Sequence, residues 1–142
     1  MDRNDSYEGM FAAEHRRLDA MFETLLAALR DGASDPAVRD LFNEMREALE
    51  AHIDQEDRLY YPAVRALRPV HRNVIEGLVG AHELFRAQLG EIDASLASGV
   101  VTEAGRALAA FVKAFGEHEA AEERLLHAID EELSRALGSA PA

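Results

Sequence analysis

Four apolar stripes at the 3.6-residue helical period, each carrying one histidine, run through this chain and leave it little choice of fold. The first extends from about Tyr7 to Arg30, with Phe11, His15, Leu18, Phe22, Leu25, Leu26 and Leu29 on one face. The second turns Val38, Leu41, Phe42, Met45, Leu49, His52, Glu56 and Leu59 inward. The third spans roughly Val70 to Ser98 and carries Val74, Leu78, His82, Phe85, Leu89, Ile92 and Leu96. The fourth buries Leu108, Phe111, Val112, Phe115, His118, Glu122, Leu125, Ile129 and Leu133. No segment shows the two-residue alternation of a strand.

Helix breakers fall between the stripes. Gly32 ends the first helix, and Ser34 or Asp35 caps the second, with Pro36 in its first turn. Pro62 cannot donate to a helical ladder, so a kink or stop is expected near Tyr61, with Ala63 to Leu67 a short extension before Pro69. Ser98-Gly99 closes the third helix and Thr102 caps the fourth. Long helices joined by short loops predict an all-α, antiparallel up-down-up-down four-helix bundle. The expectation is one domain over residues 1–142, with a core of about 7–137 and flexible ends. Tyr7 is expected to pack at the bundle end, and Met10, Met21 and Met45 to be ordinary core.

Composition narrows the chemistry. The net charge of −12 argues against nucleic acid and anionic membrane surfaces as partners. With no cysteine, disulfides, thiolate nucleophiles and sulfur-ligated metal sites are excluded, so any metal must be held by histidine and carboxylate. The polar start Met-Asp-Arg-Asn-Asp is unlike a signal peptide, and no apolar run approaches the roughly 18 residues of a membrane span. A cytoplasmic protein is expected.

The histidines form a duplicated set. His82 follows His15 by 67 residues, and His118 follows His52 by 66. His52 and His118 each carry a glutamate four residues on, in the related strings His-Ile-Asp-Gln-Glu-Asp-Arg-Leu and His-Glu-Ala-Ala-Glu-Glu-Arg-Leu. Residues four apart share a helix face, so His52 points with Glu56 and His118 with Glu122. A single histidine on an apolar face is commonly a hydrogen-bonded core residue, and one His-x-x-x-Glu is weak on an acidic helix. Four histidines placed independently would all fall within stripes of about 100° in roughly one case in a hundred. Two unpaired ionised glutamates in that core would cost several kcal/mol each, which calls for a cation.

Four nitrogens and two carboxylates suit iron, manganese or zinc. The repeat suggests a dinuclear centre, with His15 and His52 on one metal, His82 and His118 on the other, and Glu56 and Glu122 bridging. Iron is the natural choice where open positions meet dioxygen chemistry, with zinc or manganese less favoured.

These residues resemble the hemerythrin-like family, in its His-His-Glu cation-binding branch. The resemblance covers about Phe11 to Leu133. It rests on Glu14-His15-Arg16-Arg17-Leu18-Asp19, on His52-x-x-x-Glu56 with Leu59-Tyr60-Tyr61-Pro62, on Ala81-His82-Glu83, and on His118-x-x-x-Glu122-Glu123. It implies two iron ions in an oxo- or hydroxo-bridged, non-haem centre inside a four-helix bundle. It also implies binding or sensing of dioxygen, nitric oxide or peroxide, or iron handling. A monomer or homodimer is expected. Two departures stand out. Where the oxygen carriers have a second histidine, four residues after the third-helix one, this chain has Arg86. Their last carboxylate is an aspartate five residues after its histidine; here it is Glu122, at four. Both metals would be less fully ligated by protein, with water, Glu83 or a tyrosine in the remaining positions, which moves expectation from reversible oxygen transport toward sensing or redox chemistry. The alternatives are a di-iron redox enzyme of catalase, peroxidase or ferroxidase type, or a bundle in which the metal is structural.

Other residues near the motifs are expected to play lesser parts. Asp19 either accepts from His15 or pairs with Arg16. Tyr60, four after Glu56, is within reach of the centre as a hydrogen-bond donor or ligand, but packing at the core edge with a wet hydroxyl is the favoured reading. Glu83, Glu119 and Glu123 lie on a solvated face. Arg86 snorkels outward or pairs with a carboxylate near the site, and His71 and His127 are surface residues.

Overall fold

The computed structural model describes residues 7–138, with side chains over 11–137. The ends at 1–6 and 139–142, and the side chains of Tyr7 and Met10, lie outside the described residues. Helix α1 is Tyr7–Arg30 and α2 is Asp35–Gln55. A π-helical turn, Glu56–Tyr60, leads into α3, Tyr61–Leu67, and a 3-10 turn, Pro69–His71, leads into α4, Arg72–Ala97. Helix α5 is Val101–Gly138, and no strand occurs among the described residues. With α2, the π turn and α3 forming one continuous arm, four helical arms make the bundle. Helix α1 packs on α2 and α5, and α4 packs on α5 and α2, which closes the ring.

The loops at one end share a closing device. Gly32 and Gly99 adopt φ of 72° and 74°, a left-handed conformation that costs glycine little. In each, the next amide reaches five residues back: Ala33 N–H donates to the Ala28 carbonyl at 2.9 Å and Val100 N–H to Ser95 at 3.0 Å, the signature of a Schellman stop. Ser34 then caps α2, its hydroxyl accepting from Ala37 N–H at 3.4 Å, with Pro36 in the first turn. Thr102 does not cap α5. The helix begins one residue before it, and Val100 supplies the first accepting carbonyl, to Ala104 N–H at 3.0 Å.

The core falls into two apolar clusters. The larger includes Leu18, Phe22, Leu25, Phe42, Met45, Leu49, Ile53, Phe85, Leu89, Phe111 and Phe115. The smaller gathers Phe11, Tyr60, Tyr61, Val64, Ile75, Leu78, Leu125, Leu126 and Ile129. On three arms the stripe histidines and glutamates lie in sequence between these sets: His15 between Phe11 and Leu18, His82 between Leu78 and Phe85, His118 and Glu122 between Phe115 and Leu125; on the α2 arm Glu56 does so, between Ile53 and Tyr60, with His52 one turn before it. A polar layer is thereby walled above and below by hydrocarbon.

Two stripe assignments change. Leu59 was expected inward and is 68% exposed, while Tyr60 and Tyr61 are buried. The cause is the π turn, which fits an extra residue into one helical turn and rotates Leu59 out. Tyr61 N–H donates to the Glu56 carbonyl, five residues back. Pro62 has no N–H to donate to a carbonyl four residues back, and the helix accommodates it by this widened turn and a fresh start at Tyr61 rather than by stopping. On α4, Val74 is 50% exposed and Ile75 fully buried. Ile75 lies seven residues before His82, two turns down the same face, whereas Val74 is a further 100° around. Helix α4 also begins at Arg72, with Val70 in the preceding 3-10 turn.

These placements predict opposite outcomes for two apolar substitutions followed by chemical denaturation. Phe42→Ala, in the larger cluster, should cost about 3–5 kcal/mol of unfolding free energy. Leu59→Ser should change it by no more than about 0.5 kcal/mol.

Candidate metal centre

Each stripe histidine reaches the bundle axis with its Nε2. His15 Nε2 lies 3.2 Å from Glu122 Oε1, and His118 Nε2 lies 3.7 Å from Glu122 Oε2. His52 and His82 both place Nε2 3.3 Å from the same oxygen, Glu56 Oε1. The rings pair as His15 with His52, centroids 5.2 Å apart, and His82 with His118, 4.9 Å apart. Two four-residue groups result, His15–His52–Glu56–Glu122 and Glu56–His82–His118–Glu122, in each of which one donor atom per residue lies within 4.8 Å of the others. All six residues are buried, and the two glutamates belong to both groups. Glu122 turns one oxygen to each half, while Glu56 uses one oxygen for both.

An outer ring of carboxylates orients the imidazoles. His52 Nδ1 is 2.8 Å from Glu14 Oε1, His82 Nδ1 is 2.8 Å from Asp57 Oδ1, and His15 Nδ1 is 3.2 Å from Glu123 Oε1. In a neutral imidazole, an Nδ1–H donated outward leaves the Nε2 lone pair facing the axis. Arg86 donates to Asp57 Oδ2 at 3.0 Å and to Asp54 at 3.3 Å, so it braces the carboxylate that holds His82. Glu119 and Glu123, expected on a solvated face, are placed differently. Glu119 is 6% exposed with Oε2 3.4 Å from His15 Nδ1, and Glu123 is only partly exposed. Both belong to the α1–α5 groove, into which the outer edge of His15 points. Asp19 is exposed and hydrogen-bonds Glu119 rather than His15. Glu83 is exposed, as expected.

The tyrosine in the site is Tyr61. Its hydroxyl donates to Glu122 Oε2 and lies 3.4 Å from Glu56 Oε2, and its ring stacks on His82 at 5.6 Å. Tyr60 turns instead against Phe11, centroids 4.5 Å apart. The π turn explains the exchange, since it brings the fifth residue after Glu56 inward rather than the fourth. His71 and His127 lie away from the centre, His71 3.0 Å from Glu132 and the exposed His127 3.1 Å from Glu131.

Protons fill the layer as the electrostatics require. Burial pushes Glu56 far above the usual carboxylate range, and the neighbouring charge of Glu122 adds to it. Burial acts on Glu122 too, but hydrogen bonds from Glu56, His15 and Tyr61 outweigh it and hold Glu122 ionised. The two carboxyls therefore share one proton. Burial alone would lower His15, yet Glu122, Glu119 and Glu123 raise it to about 9. His118 falls to about 4, chiefly through burial and against the pull of Glu122. His82 is lowered by burial, which Asp57 opposes. Burial and the charges of Glu122 and Glu56 keep Tyr61 a neutral phenol.

A cation fits these residues. His15 Nε2 and Glu122 Oε1 are buried and face each other at 3.2 Å, with no other group to satisfy them. Buried nitrogen and oxygen donors converging from four helices are what a divalent metal of the iron, manganese or zinc kind satisfies.

Comparison with known proteins agrees with this chemistry. Residues 9–129 match the hemerythrin HHE cation binding domain, which is most of the chain. No curated protein and no solved structure matches.

The metal-free layer should depend on the Tyr61 hydroxyl, which satisfies two buried carboxyls at once. Tyr61→Phe, measured by denaturation in the presence of chelator, is expected to lower stability by about 1–3 kcal/mol. An unchanged midpoint would mean that the hydroxyl is not needed there.

Proposed function

The chain belongs to the hemerythrin HHE cation-binding domain family, and on that premise we propose that it holds two iron ions and uses them to bind or sense dioxygen, nitric oxide or peroxide. The observation that carries the proposal is the pair of four-donor groups that share Glu56 and Glu122. In this reading His15 and His52 hold one ion, His82 and His118 the other, and both glutamates serve the two ions jointly. Zinc and manganese are accommodated less well by the proposed chemistry, because neither pairs open positions with dioxygen as readily.

Bound iron would supply open coordination positions and one-electron redox chemistry. The chain's own residues do the rest. Glu14, Asp57 and Glu123 hold the imidazoles of His52, His82 and His15 with Nε2 inward. The apolar clusters on either side keep bulk water from the layer, which strengthens every electrostatic contact inside it. Tyr61 keeps a phenolic proton at its oxygen, beside both shared carboxylates, where a ligand taking up negative charge would find a hydrogen-bond donor. Arg86, which stands where the oxygen carriers resembled above have a further histidine, faces Asp54 and Asp57. The His82 half is thus left with fewer imidazoles.

That last pair of observations supports a second reading, a di-iron redox enzyme with peroxidase, catalase-like or ferroxidase turnover, or a role in iron handling. Steady-state consumption of peroxide, or of ferrous iron with oxygen, by iron-loaded protein separates it from ligand binding. Absence of turnover would leave binding or sensing.

Metal analysis of purified protein with its visible spectrum tests the proposal. Stoichiometric iron with ferric charge-transfer absorption is expected, and His52→Ala should lose a large part of it. Protein that lacks stoichiometric metal, and a variant with unchanged content, would contradict it. Acidity supplies a further test. Near neutral pH His15, raised to about 9, is protonated and the Glu56–Glu122 pair holds a second proton, and metal must displace both. Affinity for ferrous iron should therefore fall with falling pH, by about tenfold to a hundredfold per pH unit for one to two displaced protons. An affinity flat between about pH 6 and 8 would contradict the assignment.

A further inference from the structure

The outer face of His15 opens on a groove between α1 and α5, a cavity of about 480 Å³. Asp19, Glu119 and Glu123 line it against a single guanidinium, that of Arg16. Acidic residues on a surface usually do no more than solvate it, but Glu119 is different. It is 6% exposed, it lines the groove, and its Oε2 is buried without a hydrogen-bond partner, 3.4 Å from His15 Nδ1. Its carboxyl also meets that of Asp19 at hydrogen-bonding range, so two acidic groups are held together at the groove wall. A cation between them would satisfy the unpartnered oxygen.

His15 connects this groove to the centre. Its Nδ1 edge meets Glu119 and Glu123, and its Nε2, on the opposite side of the ring, lies 3.2 Å from Glu122. The imidazole is the partition between outside and inside. Of the other outer carboxylates, Asp57 is already paired with Arg86. The groove is open at Gly116, where an added Cβ would meet nothing within 4 Å.

We propose that the α1–α5 groove is the loading port of the centre, where Asp19, Glu119 and Glu123 capture a hydrated divalent cation and deliver it past the His15 ring to the buried donors. The port rests on the two-metal reading above, and it adds a site and a route which that reading does not contain. Oxygen donors suit the transient capture of a hydrated divalent ion, while the imidazole-rich interior suits its retention. The net charge of −12 favours cation approach in general, and a negatively lined cleft concentrates cations locally.

The test is the rate at which metal-free protein takes up cobalt(II), followed by stopped-flow visible absorbance, with final metal content measured separately. Asp19→Asn combined with Glu119→Gln should slow uptake at least about tenfold, the scale on which a charged cleft raises association rates. Added salt should slow the wild type, and the double variant much less. Gly116→Leu changes no charge and puts a bulky side chain in the groove. It should slow uptake while leaving the final cobalt content at the wild-type value. Uptake by both variants within twofold of wild type would overturn the port. So would a Gly116→Leu protein with normal kinetics beside a slow double variant, because the charges would then act from a distance and not along a path. A wild type that binds no stoichiometric cobalt would instead remove the two-metal reading itself, and the port with it.

Discussion

Two carboxyl groups, Glu56 and Glu122, meet in the middle of a hydrocarbon bundle, and the rest of the structure answers that contact. An ionised carboxylate moved from water into such a place costs several kcal/mol, and a second one beside it raises the cost further. Every polar group nearby can be understood as compensation. Glu56 takes a proton, His15 carries a positive charge, and the Tyr61 hydroxyl donates to Glu122. His82 and His118 are both held below their ordinary range, chiefly by burial. Protons and one positive charge thus occupy a layer of donors arranged so that they could hold a metal.

Rigid packing makes the contact possible. The larger apolar cluster, rich in phenylalanine, fixes one side of the layer, and the aromatic and aliphatic residues around Tyr61 fix the other. Side chains on helices hold position more tightly than side chains on loops, which matters for donors that must converge on one point. The outer carboxylates then set the imidazole tautomers. Each of them adjoins, in sequence, an inner residue of a different arm: Glu14 beside His15 serves His52, Asp57 beside Glu56 serves His82, and Glu123 beside Glu122 serves His15. Inner and outer rings are thus interlocked, so a rotation of one helix would disturb the donors of two.

Much of this was legible in the sequence. Four stripes with period 3.6 and two glycine stops define the bundle, and the histidine and glutamate positions on those stripes lead to one buried layer. What escaped reading has physical causes. A π turn leaves no mark in periodicity, so Leu59 reads as inward where the structure turns it out and buries Tyr61. Val74 differs from Ile75 by one step around α4, too little for apolar periodicity alone to separate the two near a helix end. The outer carboxylates sit beside inner residues and look like solvated neighbours, because their partners lie on other helices. The doublets Glu14-His15, Glu56-Asp57 and Glu122-Glu123 were the available signal, and only the three-dimensional pairing gives it meaning. Thr102 is a good cap by residue type, but the helix starts earlier from a Schellman turn.

If the shared carboxylates exist to hold two metal ions side by side, X-ray absorption at the iron edge of iron-loaded protein reads that claim directly. The expected result is a nitrogen and oxygen shell with imidazole scattering, no sulfur, and an iron–iron vector of about 3–4 Å. Iron lacking imidazole scattering, or iron in isolated ions with no second metal at that distance, would contradict the account.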